Sequence, residues 1–349
     1  MKNVFKAVAF LTILILIIIF LNKLFSPVGT YEASWYSSWA MQDMYKQKEN
    51  TIDVLYVGDS NVYAGISPLE IYDKTGITGF SASTPMQDFV GSYYIIKEFF
   101  KKQNPKVVMI ESSEFFTLKE NFSELGKSSE IYFMKTGKNK IDMINDSDYN
   151  FSKEEKLRYL FPVLKFHTRY SKLTEFDFRK LITKSEISYK GYLYDPNIKK
   201  LERKKRNRQL DETEETIEQN NPNLIIQEYV KNKLALLNEF CKQNNSELVV
   251  LSMPTTDELS EEKYKVLKQY LQEQNIKYIN YDFEAQNPID WTTDTQDGGW
   301  HLNIYGAEKV ATFLADYLTQ NFEIENKKEN AEYTSWNENL KNYMIATGR

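Results

Sequence analysis

Apolar positions run without a break from Ala7 to Leu21 except at Thr12, and Lys2, Lys6 and Lys23 flank them. With the lysine stems snorkelling, that run extends to roughly the 20 residues needed to cross a bilayer. No small-x-small cleavage site follows, since the next residues are Asn22-Lys23-Leu24-Phe25-Ser26-Pro27. The pattern predicts an uncleaved signal anchor over 1–26, with the Lys2/Lys6 end cytoplasmic and the bulk of the chain outside. The polar and aromatic segment 27–50 reads as a stalk with a first helix.

Beyond it, two periodicities alternate. Ile52–Val57, ending in Gly58, is a short apolar run of the buried-strand type. Pro68–Thr75 reads as a helix opened by proline and closed by Gly76. Ile77–Ala82 is a weaker strand, and Gln87–Lys102 an amphipathic helix whose face carries Val90, Tyr93, Tyr94, Ile96 and Phe100. Pro105–Glu111 is a third strand. The rhythm stops over 117–223, a polar and aromatic stretch with helical pieces such as Lys153–Leu164. Within it, Lys199–Arg208 is strongly basic and Asp211–Glu218 strongly acidic, the pattern of a solvated charged segment.

The alternation resumes with a helix at Leu224–Gln243, a strand at Glu247–Ser252, a helix at Ser260–Glu273 and a strand at Lys277–Tyr281. A loop at Asp290–Trp300 leads to a last helix, Ile304–Asn321, with Asn303 as its N-cap. Five strands separated by helices predict an α/β fold with a doubly wound parallel sheet. That domain spans 51–116 and 224–322. The insertion 117–223 follows strand three, where it would stand at the active edge as a cap. The tail 323–349 is polar and expected to be peripheral.

Composition narrows the function. Among 349 residues the formal net charge is −5, and no basic domain stands out, which argues against nucleic acid as a partner. The 24 tyrosines and 21 phenylalanines are many; core packing with some surface tyrosine accounts for them better than a sugar-binding face. The lone Cys241, on a predicted helix, forms no internal disulfide and reads as a buried inert thiol. Two histidines without clustered carboxylates make a poor ligand set, so no metal or other cofactor is expected.

Those two histidines also make the search for a catalytic base short. Serine is a poor nucleophile until a histidine takes its proton. Ser60 follows the first strand directly, in Gly58-Asp59-Ser60-Asn61, and His301 directly precedes the last helix. In an open parallel sheet both places lie at the carboxyl edge of the strands. Amides at a helix N-terminus there suit an oxyanion. His301 needs a carboxylate to hold its tautomer. Asp297 stands four residues upstream, across Gly298 and Gly299, and Asp294 is the reserve. His167, inside the insertion, reads as structural or substrate-facing.

Gly58-Asp59-Ser60 and Asp297…His301-Leu302-Asn303…Gly306 resemble the first and last sequence blocks of the SGNH (GDSL-type) hydrolase superfamily. The resemblance covers about 50–116 and 224–321 and implies a flavodoxin-like sheet. It also implies catalytic roles for Ser60, His301 and Asp297. The stretch matching the second block, Phe80–Thr84, lacks its glycine, leaving the Ser83 amide as oxyanion donor. Glu111-Ser112-Ser113 replaces the asparagine of the third block, so Asn61 or Gln87 would have to substitute. The family's aspartate usually stands three residues before the histidine, where this chain has Gly298.

Pro85-Met86-Gln87, Ser92-Tyr93-Tyr94, Pro105–Val108 and Phe161-Pro162…Phe166-His167…Arg169-Tyr170 are similar to a membrane-anchored bacterial branch, including the SGNH proteins of teichoic acid D-alanylation and alginate O-acetylation. Such proteins commonly work beside a multispanning MBOAT acyltransferase. The resemblance therefore implies transfer of an acetyl or D-alanyl group to a cell-surface polymer. Hydrolysis of O-acetyl esters on surface glycan, or an inactive polymer-binding or scaffold module, are the alternatives.

Overall fold

The computed structural model describes residues 1–26, 35–179, 188–201, 222–257 and 259–349. Five strands, β1 (Val54–Gly58), β2 (Gly79–Ser83), β3 (Val107–Glu111), β4 (Glu247–Ser252) and β5 (Lys277–Asn280), form one parallel sheet in the order β2-β1-β3-β4-β5. The chain order reverses between β1 and β3, the switch point at which ligand crevices open in such sheets. β1, β2 and β3 are buried on both sides, which is why they read as continuous apolar runs.

Alternate residues face two separate cores. Leu55, Val57, Val108, Ile110, Leu248 and Val250 meet the helices Phe89–Phe99, Glu228–Gln243 and Ser260–Glu273. Val54, Tyr56, Val107, Met109, Val249 and Leu251 meet the helix Ile304–Asn321. Gly58 is where β1 and β3 approach most closely. A Cβ there would lie 2.7 Å from Glu111 Cβ and 2.6 Å from Val62 Cγ2, so only glycine fits.

Three expectations need correction. The segment from Trp35 onward is no stalk: the helix Trp35–Lys46 buries Tyr36, Met41 and Met44 against the domain. The tail is not peripheral either. Its helix Thr334–Thr347 sinks Trp336 and Tyr343 onto the helix Pro68–Thr75, while Arg349 pairs with the buried Glu70 at 2.8 Å and Lys327 with the buried Asp53. Its apolar stripe is built from Tyr and Trp, which a polarity count hides.

The insertion is not simply a cap. Its helices Glu124–Phe133 and Lys138–Ile144 pack beside Phe89–Phe99. Tyr149 stacks on Phe151 with centroids 5.0 Å apart, and Tyr159 and Phe166 join the same core. Many of the aromatic residues are thus packing residues. Lys153–Leu164 is broken at Pro162 into the helices Lys153–Leu160 and Pro162–Phe166. Among the described residues of the insertion, the segment 188–201 covers the carboxyl edge. The basic and acidic runs fall mainly on 202–221, outside the described residues.

The first helix, Lys2–Phe25, has a mean hydropathy of 3.0 over an 18-residue window and leaves that window wholly exposed. It is long and apolar enough to cross a membrane. Cys241 is fully buried, and burial pushes its thiol up to about 12.

Candidate active site

Ser60 opens a six-residue helix, Ser60–Gly65, immediately after β1. Asp59 is its N-cap and accepts the Asn61 amide at 2.8 Å. That bond removes the Asn61 N–H from any oxyanion role and leaves the Ser60 N–H without a protein partner among the described residues. Ser60, Asp59 and Asn61 are half-buried.

The loop ahead of Ile304–Asn321 is tightly tied. Thr295 and Leu302 form an antiparallel bridge, and the amides of Asn303 and Gln296 donate to Asp294 and His301 carbonyls. Gly298 and Gly299 have φ of +89° and +105°, values that side chains with a Cβ resist. They let the chain turn back so that Asp297 reaches His301. Asp297 Oδ1 accepts the amides of Trp300 and His301 at 3.1 and 2.9 Å, and Oδ2 meets His301 Nδ1 at 2.5 Å. The carboxylate is therefore locked in place by backbone while it orients the ring. With Nδ1–H donated to Asp297, Nε2 is the free base.

Asp294 has other work. It is buried, pairs with Lys309 at 2.7 Å, accepts the Asp290 amide at 2.7 Å and the Thr293 hydroxyl at 2.9 Å. Of the two aspartates, the geometry gives the histidine to Asp297.

The two halves of the site come near each other at Asp59. His301 lies close enough to Asp59 to oppose the rise in its carboxyl pKa. The Tyr63 hydroxyl lies near the Ser60 side chain and feels both Asp59 and Asp297. No hydrogen bond joins Ser60 to His301 among the described residues. Catalytic bonds of this kind are commonly loose until substrate arrives. Tyr63 was the residue sequence reasoning missed, although its place three positions after Ser60 on a helix puts both on one face.

The oxyanion candidates fare unequally. Ser83 ends β2 in register with Gly58 and is buried beside Tyr36. Gln87 is fully buried, with Oε1 accepting from Thr84 at 3.1 Å and Nε2 donating to Ser92 at 3.0 Å. Its side chain is held by the turn before Phe89–Phe99, with one of its two N–H groups given to Ser92. The Asn61 side chain stays near the serine, held only by a 3.5 Å contact to Asp59.

Behind the serine sits a group of carboxyls without cations. Burial, then the neighbouring Asp59, pushes Glu111 up to about 8, although Ser113 donates to it from both amide and hydroxyl. Burial with Asp59 and Asp88 does the same to Glu114. Burial also raises Asp59, against the Asn61 amide and His301. No cluster among the described residues has the arrangement to hold a metal ion.

A strap crosses the edge. Leu193 N–H donates to Tyr63 O at 2.8 Å, Ile304 N–H to Asp195 O at 2.9 Å, Lys199 N–H to Thr295 O at 2.9 Å, and Asn303 Nδ2 to Asn197 O at 3.0 Å. It ties the Ser60 helix to the His301 loop through backbone bonds. His167 is elsewhere, exposed in the insertion with Nδ1 facing the Leu164 carbonyl at 3.2 Å; it is not part of this site. No protein-family model matches the chain, and no curated protein matches it significantly.

Proposed function

We propose that the protein is a membrane-anchored, extracytoplasmic serine acyltransferase that moves an acetyl or D-alanyl group to a hydroxyl of a cell-surface polymer. The observation that carries the reading is the Asp297–His301 pair, its free Nε2 presented at the sheet edge that also presents Ser60. In the first step Ser60 Oγ bonds to the acyl carbon, its proton passes to His301 Nε2, and that proton leaves with the departing group. In the second step a polymer hydroxyl gives its proton to Nε2 and attacks the acyl-serine, and that proton passes from Nε2 to Ser60 Oγ as the serine leaves. In this reading the backbone amides of Ser60 and Ser83 are the donors for the oxyanion. Neither step requires a cofactor. Water in place of the polymer hydroxyl gives the esterase reading from the same residues.

The lack of a hydrogen bond between Ser60 and His301 among the described residues favours a second reading, an inactive module that binds polymer or serves as scaffold for a multispanning MBOAT acyltransferase. A fluorophosphonate probe separates them: the acyltransferase reading expects Ser60 to be labelled in the full chain and the label to vanish in Ser60→Ala and His301→Ala. An unlabelled Ser60 in protein that still binds glycan would leave only the module. Mass spectrometry of surface polymer from a Ser60→Ala strain then distinguishes transfer, which predicts lost acyl groups, from hydrolysis, which predicts an excess.

A further inference from the structure

The insertion meets the first helix where its apolar run stops. Asn22 Oδ1 accepts the Val163 amide at 3.2 Å, Leu24 and Phe25 are buried, and Arg169 donates to the Phe25 and Ser26 carbonyls at 3.4 Å. Arg169 is itself fixed by Asp177 at 2.8 Å. The docking begins one residue beyond Leu21, so the segment 153–179 lies level with the end of the membrane-spanning run.

That segment is apolar on two faces. Tyr159 and Phe166 point into the core, while Leu157, Phe161 and Leu164, at i, i+4 and i+7, are 49%, 38% and 50% exposed. Tyr170 is 72% and Phe178 48% exposed. Beyond the first helix, thirteen large hydrophobic residues are exposed among the described residues, and five of them fall within 157–178. A water-facing helix pair would be polar outside. The charge also departs from the rest of the chain: 152–179 holds seven Lys and Arg against four Asp and Glu, in a protein of net charge −5. Aromatic and aliphatic side chains with interspersed cations are what the bilayer interface takes up.

We infer that 153–179 is a membrane foot: Leu157, Phe161, Leu164 and Tyr170 enter the headgroup and upper acyl region of the leaflet from which the first helix emerges, and so fix the tilt of the domain on the lipid surface. The inference rests on the anchor reading of Lys2–Phe25. Lipid is favoured over a protein partner because the patch surrounds the point where the span itself leaves the bilayer and carries a basic excess.

Single-cysteine variants of the full chain test it, because Cys241 is buried and stays unlabelled. Leu164→Cys, Tyr170→Cys, Leu14→Cys within the span and Leu236→Cys on a distant exposed face would carry nitroxides in nanodiscs containing anionic lipid and no other protein. Oxygen, which partitions into lipid, is compared with a water-soluble neutral nickel chelate. The foot predicts that labels at 164 and 170 show an oxygen-to-nickel accessibility ratio several-fold above that at 236 and approaching that at 14. Labels at 164 and 170 as water-accessible as the one at 236, with 14 in lipid, overturn the foot but keep the anchor, and leave the face to a protein partner. A water-accessible label at 14 removes the anchor and the foot with it. Labels at 164 and 170 shielded from both reagents mean self-association and also overturn the proposal.

Discussion

Two sets of carboxyl groups face the same end of the sheet and live under opposite rules. In the loop 290–303, the Asp297 side chain is 35% exposed and is held by His301 and two backbone amides. At the ends of β1 and β3, Asp59, Glu111 and Glu114 are packed together without a lysine or arginine bonded to them among the described residues, and Glu111 and Glu114 are pushed up to about 8. The first arrangement sets a carboxyl group against the imidazole. In the second, Glu111, pushed up to about 8, keeps its proton at neutral pH, so that no field from ionised Glu111 competes with Asp297 for His301. A site that needs one anion beside its base has reason to neutralise the others by burial.

The sharpest way to break this comparison is to remove the proton-transfer pair. Ser60→Ala or His301→Ala is expected to cut turnover of a small activated ester by about a million-fold, with the double variant no worse than either single one. Circular dichroism should be unchanged. Losses that multiply in the double variant would mean that the two residues do not act as a unit.

The two loop aspartates come next. Asp297→Asn should lower turnover about ten-thousand-fold with little change in stability, since the asparagine leaves His301 with the wrong tautomer. Asp294→Asn should do the reverse. It strips the counter-charge from Lys309, which is partly exposed, and weakens the acceptor for the Asp290 amide, costing about 2 kcal/mol in urea unfolding while activity per folded molecule stays within severalfold. Exchanged outcomes would reassign the triad.

How much of this was visible beforehand depends on which force decided each element. The strands and the last helix were legible, because a buried parallel strand leaves an unbroken apolar run and an amphipathic helix repeats its apolar face. Two positive-φ glycines between Asp297 and His301 were legible as freedom, but not which aspartate that freedom would serve. That choice turns on Lys309, fifteen residues after Asp294, taking the competitor. The helix Trp35–Lys46 and the tail were misjudged because tertiary burial of Tyr36, Trp336 and Tyr343 outweighs their polar surroundings. The hold of Thr84 and Ser92 on the Gln87 side chain was not legible, because nothing in sequence shows which hydroxyls the turn brings to it.

Glu111 sharpens the comparison from the neutral side. A carboxyl raised in the folded state binds a proton that the unfolded chain has released. Its stabilising effect is complete below the unfolded value of about 4.3 and is lost as pH rises through about 8. Between those limits each such group tilts stability downward by about 1.4 kcal/mol per pH unit. Urea unfolding from pH 5 to 8 should therefore show falling stability, and Glu111→Gln should flatten the slope while keeping the Ser113 contact. A slope unchanged by the substitution would mean that Glu111 is already ionised and that the two carboxyl sets are not opposites.

Tyr63 stands between the two sets and should give the smallest effect. Its hydroxyl lies near the Ser60 side chain, its ring packs on Tyr36 with centroids 4.1 Å apart, and its carbonyl holds the strap through Leu193. Tyr63→Phe keeps the ring and the backbone bond and removes only the oxygen. If the hydroxyl merely parks the serine in the resting state, the variant frees Ser60 to turn toward His301, and turnover changes by no more than about threefold, within the net worth of one neutral hydrogen bond. If the hydroxyl instead donates to the developing oxyanion, its removal costs about a hundredfold in kcat with KM little changed. The split between kcat and KM therefore reads out whether Tyr63 positions the nucleophile or shares its chemistry.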